Sequence, residues 1–115
     1  MAFTAEEVFA LHPGIRFAGL ATRKGQMVFS KMRPGVVSYH PEPTRTATIE
    51  IQGQYMIEMA EKKYWAGTLE HITVSFEKYV HLFIPLKKHI AEITLEKDVP
   101  PESYRKICSA IQALE

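Results

Sequence analysis

Residues 21–35, ATRKGQMVFSKMRPG, hold the densest chemistry in the chain: Arg23, Lys24, Lys31 and Arg33, two glycines and no acid. Glycines among cations are the ingredients of a phosphate-binding loop, in which backbone N–H groups at a helix N-terminus cradle an anion. The spacing fails that test. Neither G-x-x-x-x-G-K-[ST] nor G-x-G-x-x-G occurs, and a strand rather than a helix is expected after Gly25. The same cations could meet nucleic acid, an anionic lipid or an acidic protein face. Nucleic acid is the weakest of these, because no helix-turn-helix, zinc finger or RNA-binding aromatic signature accompanies them. Arg23, Lys24, Lys31 and Arg33 are therefore the candidate residues for a protein partner, against a plain solvated surface.

The remaining reactive side chains are sparse. His12, His40, His71, His81 and His89 are the histidines, and a metal site needs three or four convergent ligands. Pairing two strands through a loop at residues 77–79 leaves His71 and His81 about 13 Å apart at ~3.3 Å per residue. If Leu86-Lys87 is the next turn, His81 opposes Glu92 as a cross-strand pair. No metal or other cofactor is expected. The single cysteine, Cys108, falls on an apolar helix stripe and reads as a small buried hydrophobe. No G-x-S-x-G motif or carboxylate pair is present, so no enzymatic activity is expected.

Charge is divided unevenly along the chain. The net charge is +1, yet residues 8–41 contain five cations and no acid, which leaves −4 for the rest. Such a split bears on partners, not on fold. At 115 residues the chain has the length of one domain, residues 1–115, with a single core. One cysteine rules out an internal disulfide, which suits a reducing cytoplasm. The N-terminus has no basic region of a signal peptide, and no apolar run approaches the roughly 20 residues of a membrane span.

These residues must be positioned by the following elements. Thr4-x-x-Glu7 is a capping box that opens a short helix, ended by His12-Pro13-Gly14. Residues 15–23 and 26–31 read as strands, joined by Lys24-Gly25 as a two-residue hairpin loop. Residues 46–51, TATIEI, alternate like a strand. The following QYMIEMAEKKYWAG carries helix formers up to Gly67, a C-cap candidate. Both readings stand for residues 46–51. A helix over about 44–66 would align Ile49, Gly53, Met56 and Ala60 on one face. Three strands then form a meander: Ile72, Val74 and Phe76 share a face, as do Val80, Leu82 and Ile84, and Ala91, Ile93 and Leu95. Phe76 opposite Val80 aligns the first two sets, and Leu82 opposite Ala91 or Ile93 aligns the third. Pro101 opens a last helix with Tyr104, Ile107, Cys108, Ile111 and Leu114 as its stripe.

The order is α-β-β-α-β-β-β-α, an α+β fold with a five-stranded antiparallel sheet. Tyr79, His81 and Phe83 make the second face of the meander partly apolar. Helices on both faces, a three-layer α/β/α sandwich, would cover it. Sandwiches of this size also hold ligands beside the sheet. Tyr79, His81 and Phe83 are the residues that would line such a pocket in a small-molecule sensor, the alternative function.

This order, with Arg16-Phe17-Ala18-Gly19, the Lys24-Gly25 turn, Arg33-Pro34-Gly35 and the GTLEHITVSFEKYV stretch at 67–80, resembles the profilin-like fold of roadblock/dynein light-chain domains. It is similar, in particular, to small uncharacterised archaeal proteins of that shape. The resemblance implies a non-enzymatic regulatory scaffold that homodimerises through the long helix and the third strand. Many relatives serve small GTPases. Carried to this chain, the dimer contact would fall on residues 44–66 and 69–76, with Ile49, Gly53, Met56, Ala60, Ile72 and Val74 as its candidates. No nucleotide or catalytic residue transfers with the fold.

Overall fold

The computed structural model describes residues 3–39 and 53–115. The capping box forms as the sequence requires. Thr4 Oγ1 accepts from the Glu7 N–H at 3.2 Å, and the Glu7 carboxylate accepts from the Thr4 N–H at 3.0 Å, opening α1 (Ala5–Phe9). Strands β1 (Ile15–Thr22) and β2 (Met27–Met32) follow, then α2 (Gln54–Glu61). Strands β3 (Ile72–Ser75), β4 (Tyr79–Pro85) and β5 (His89–Glu96) lead to α3 (Tyr104–Leu114). The five strands form one sheet in the order β2-β1-β5-β4-β3, every neighbour antiparallel.

The two faces of that sheet are covered differently. Alternate residues Val80, Leu82 and Ile84 of β4, Ala91, Ile93 and Leu95 of β5, and Ala18 and Leu20 of β1 turn toward α1 and α3. Val8, Phe9, Ile107, Cys108 and Ile111 of those helices close this larger core. The opposite face carries Phe83 and Ile90, covered by Ile57 of α2 with Met56, Leu69, Ile72 and Val74 around it. The three-layer α/β/α arrangement expected from the two-sided apolar pattern of β4 is present.

Three local expectations are corrected. The first hairpin is closed by Arg23-Lys24-Gly25, not by Lys24-Gly25 alone. The Thr22 N–H donates to Gln26 O at 2.8 Å, the Gly25 N–H donates to Thr22 O at 2.9 Å, and Gly25 has φ +89°. A two-residue type I′ loop would force positive φ on Lys24 as well; the three-residue loop confines it to glycine. The second correction is the β3–β4 register. Ser75, not Phe76, faces Val80, because the turn is the two-residue Glu77-Lys78 with the Phe76 N–H donating to Tyr79 O. The slip turns Ile72 and Val74 toward α2, opposite Phe83 and His81. Third, the β4–β5 turn is Lys87-Lys88, so His81 faces Thr94 and Glu92 faces Phe83. Leu82 opposes Ile93, one of the two registers the pattern allowed.

The central helix also ends earlier than Gly67 suggests. Its last residue is Glu61, and Tyr64–Ala66 form a separate 3-10 turn. Residues 46–51, read either as strand or as helix, lie outside the described residues.

Candidate functional site

The central helix presents two unlike sides. Gly53 is buried against the sheet: a Cβ there would stand 3.0 Å from the Phe83 ring and press on the Glu92 carboxylate. Ile57, one turn on, is fully buried, and Met56 is packed against the same small cluster. Ala60 is half-buried. The face carrying Gly53, Met56 and Ala60 is thus turned to the sheet, and Ile49 lies outside the described residues. The outer side shows Tyr55 at 63% and Met59 at 46% exposure. These are neighbours at i and i+4, so they form one apolar strip in solvent. Sequence reading leaves Tyr55 unnamed and gives Met59, like Met56, as either core or interface anchor, because Tyr55, Met56, Ile57, Met59 and Ala60 are apolar almost all round the helix. Nothing in the sequence says which side the sheet takes.

Beside this helix runs the edge strand β3. Ile72 and Val74 are half-buried under α2, while Thr73 and Ser75 face away and are exposed. An edge strand offers a row of backbone groups that a further strand can pair with. Phe76, 46% exposed, lies at its end.

The four candidate cations do not form one surface. Arg23 donates to the Glu61 carboxylate at 2.8 Å and to Leu86 O at 2.5 Å, tying the first hairpin to the end of α2 and to the β4–β5 turn. Arg33 donates to Ile15 O at 2.6 Å, Phe9 O at 2.8 Å and His12 O at 2.7 Å. It thereby satisfies carbonyls at the end of α1 that no helical N–H reaches. Lys31 pairs with Glu6, whose carboxyl that bond holds below its ordinary range. Lys24 alone of the four projects without an internal acceptor among the described residues.

Beneath the start of α2 lies a buried polar group of side chains. The His81 ring stacks on Phe83 at 4.3 Å between centroids, and His81 Nε2 stands 3.8 Å from Glu92 Oε2. Neither carboxylate oxygen of Glu92 accepts a hydrogen bond from the described residues, and the residue is 2% exposed. Burial pushes its pKa up to about 9, so it is a neutral acid at neutral pH and the His81 contact is not an ion pair. Nearby, Tyr79 stacks on Tyr39 at 5.8 Å, and the Arg16 guanidinium lies 4.5 Å over the Tyr39 ring. Arg16 also bonds Glu96 at 2.6 Å. Tyr79, His81 and Phe83 are all buried and in ring contact with their neighbours. Open clefts lie elsewhere: one of roughly 480 Å³ between Arg23, Leu69, Pro85, Lys87 and Gln112, and one of roughly 490 Å³ between Ala60, Lys63, Leu69 and His71.

No three His, Cys, Asp or Glu side chains converge as metal ligands among the described residues. Cys108 is buried in the larger core, which raises its thiol pKa to about 12 and leaves it inert as a nucleophile.

No protein-family model matches the chain, and no curated protein sequence matches it. Solved structures do. A Roadblock/LC7 domain from Streptomyces avermitilis superposes with a TM-score of 0.71 at 6% identity, over 94% of this chain and 88% of that one. MglB in a tetrameric arrangement superposes with a TM-score of 0.64 at 14% identity, over 95% and 82% of the two chains. Acanthamoeba castellanii profilin II gives 0.52 at 10% identity, over 88% and 84%. The fold is thus that of roadblock/LC7 domains, with profilin as a more distant neighbour. At these identities the likeness is one of architecture.

Proposed function

We propose that the chain is a non-enzymatic scaffold domain of the cytoplasm that pairs with a second copy of itself and binds a regulatory partner. A small GTPase is the partner class that the roadblock resemblance implies. The observation that carries this reading is the apolar strip of Tyr55 and Met59 on the outer side of α2, beside the edge strand β3. An apolar helix face next to an open strand edge suits an interface made by helix packing and strand addition together. The tetrameric arrangement of MglB, a structural neighbour, supports self-association as a habit of this architecture.

The revised orientation of α2 changes the test. Met59→Glu should yield a folded monomer where the wild-type chain runs as a dimer in light-scattering mass measurement. Met56→Glu should instead destabilise the fold, because that side chain packs against the sheet. A monomeric wild-type chain, or a folded Met59→Glu variant of unchanged mass, would overturn the assignment. Titration against a small GTPase in each nucleotide state would then test the partner class.

A further inference from the structure

Three segments far apart in sequence meet at one end of the sheet. The first hairpin brings Lys24, the β4–β5 turn brings Lys87 and Lys88, and the chain just beyond α2 brings Lys62 and Lys63. Arg23 joins them, reaching from the hairpin to Glu61 at the end of α2 and to Leu86 O at the β4–β5 turn. All five lysines are exposed. None of their ammonium groups has a carboxylate partner among the described residues. Among the described residues, three acids lie nearby: Glu58, which accepts from Gln54 Nε2 at 3.2 Å, Glu61 and Glu115. Glu61 is taken by Arg23, and Glu115 accepts from the Lys87 and Lys88 N–H groups at 2.6 and 3.0 Å and meets His89 Nδ1 at 2.9 Å.

Directly after Lys63 the 3-10 turn holds Tyr64 and Trp65 out of the protein, 81% and 74% exposed. Their rings touch each other edge to face at 5.5 Å. Two large aromatic rings stand in water directly after Lys62 and Lys63, at the end where Lys24, Lys87 and Lys88 are also exposed. This surface lies past the end of α2 and does not use Tyr55 or Met59.

We propose that this end of the molecule is a docking surface for an anionic phospholipid bilayer. The lysines would lie over the acidic headgroups, with Trp65 and Tyr64 seated in the interfacial layer. Lysine is a compact, hydrated point charge, suited to the diffuse negative field of a membrane leaflet. Bidentate reading of a nucleic-acid phosphate or a protein carboxylate calls for arginine forks, and the one arginine here is turned inward onto Glu61 and Leu86. Tryptophan and tyrosine are enriched at membrane–water interfaces because each joins an apolar ring to a polar edge. No helix among the described residues is long and apolar enough to cross a membrane, so attachment would be from one side.

Trp65 is the only tryptophan in the chain, so its emission reports directly on the proposed contact. Vesicles of pure phosphatidylcholine and of an equimolar phosphatidylcholine–phosphatidylserine mixture are the probes. The proposal expects a blue shift of Trp65 emission and co-sedimentation with the phosphatidylserine vesicles only, both lost at high salt. Lys87→Ala with Lys88→Ala should lower partitioning on the order of tenfold. Trp65→Phe should retain most of it, and Trp65→Ala should weaken it with an unchanged circular dichroism spectrum. Equal binding to both vesicle types, an unshifted emission with bound protein, or lysine variants that partition like wild type would each overturn it. Capture by polyglutamate or by single-stranded DNA without vesicle binding would overturn it in favour of a different anionic partner.

Discussion

The two faces of the sheet are built on different principles. The face under α1 and α3 is dry: among the described residues its buried cluster contains eighteen, all apolar but for the inert thiol of Cys108. Among the described residues, the face under α2 carries a buried cluster of Ile57, Phe83 and Ile90, with Met56, Leu69, Ile72 and Val74 packed against it, and Phe17, Ala21 and Tyr79 are also buried on that face. The buried polar side chains among the described residues, Arg16, His81, Glu92 and Thr94, fall on that side or at its margin. Stability scales with apolar burial, so the first face holds the domain together. The second carries a neutralised acid and presents the exposed strip of Tyr55 and Met59 to solvent. On the proposed reading, the layer that meets a partner is the one whose described part leaves apolar side chains uncovered.

The largest test of this contrast is truncation in the dry core. Leu82→Ala should cost about 2–5 kcal/mol in urea unfolding, because a fully buried leucine leaves a cavity the packed layer cannot close. A smaller loss would mean that the face under the terminal helices is less dominant than its burial indicates.

The second test uses pH. Between the ordinary carboxyl value of 4.5 and about 9, Glu92 is protonated in the folded state and ionised in the unfolded chain. The folded protein therefore holds the extra proton, and its stability should fall as pH rises through that window and level off above it. Thermal melts from mildly acidic to alkaline pH would show the decline. Glu92→Gln should flatten it, whereas an unchanged slope would place the titrating group elsewhere.

Gly53→Ala is the third. The added methyl meets Phe83 and Glu92, so about 1–3 kcal/mol should be lost through overpacking. If α2 shifts outward to make room, dimerisation should weaken along with stability. The smallest expected effect separates the cations. Arg23→Ala should cost about 1 kcal/mol, since it removes a partly exposed ion pair and a bond to Leu86 O. Lys24→Glu, at the exposed tip of the same loop, should change stability by less than about 0.5 kcal/mol.

Legibility in the sequence followed the same division. Thr4 and Glu7 specify a local structure, and the structure contains it with both hydrogen bonds. The alternation in β4 and β5 placed Val80, Leu82, Ile84, Ala91, Ile93 and Leu95 on a common face, because that period is set by the strand itself. The β3–β4 register was not legible. All seven residues of β4 are buried, so both of its faces are acceptable to Ile72 and Val74, and parity loses its power to choose. Likewise, α2 is apolar on too many sides to say whether Met56 or Met59 meets solvent.

The sequence by itself determined the element order, the two-sided burial of the sheet and the absence of a nucleotide loop around Gly25, since each depends on neighbours within a few residues. Only the tertiary structure decided that Ile72 and Val74 lie under α2, that Arg33 is spent on three backbone carbonyls, and that Lys24, Lys62, Lys63, Lys87 and Lys88 gather at one end. Those facts depend on which turns become neighbours in space. That is fixed by the packing of whole layers, and no local pattern of residues encodes it.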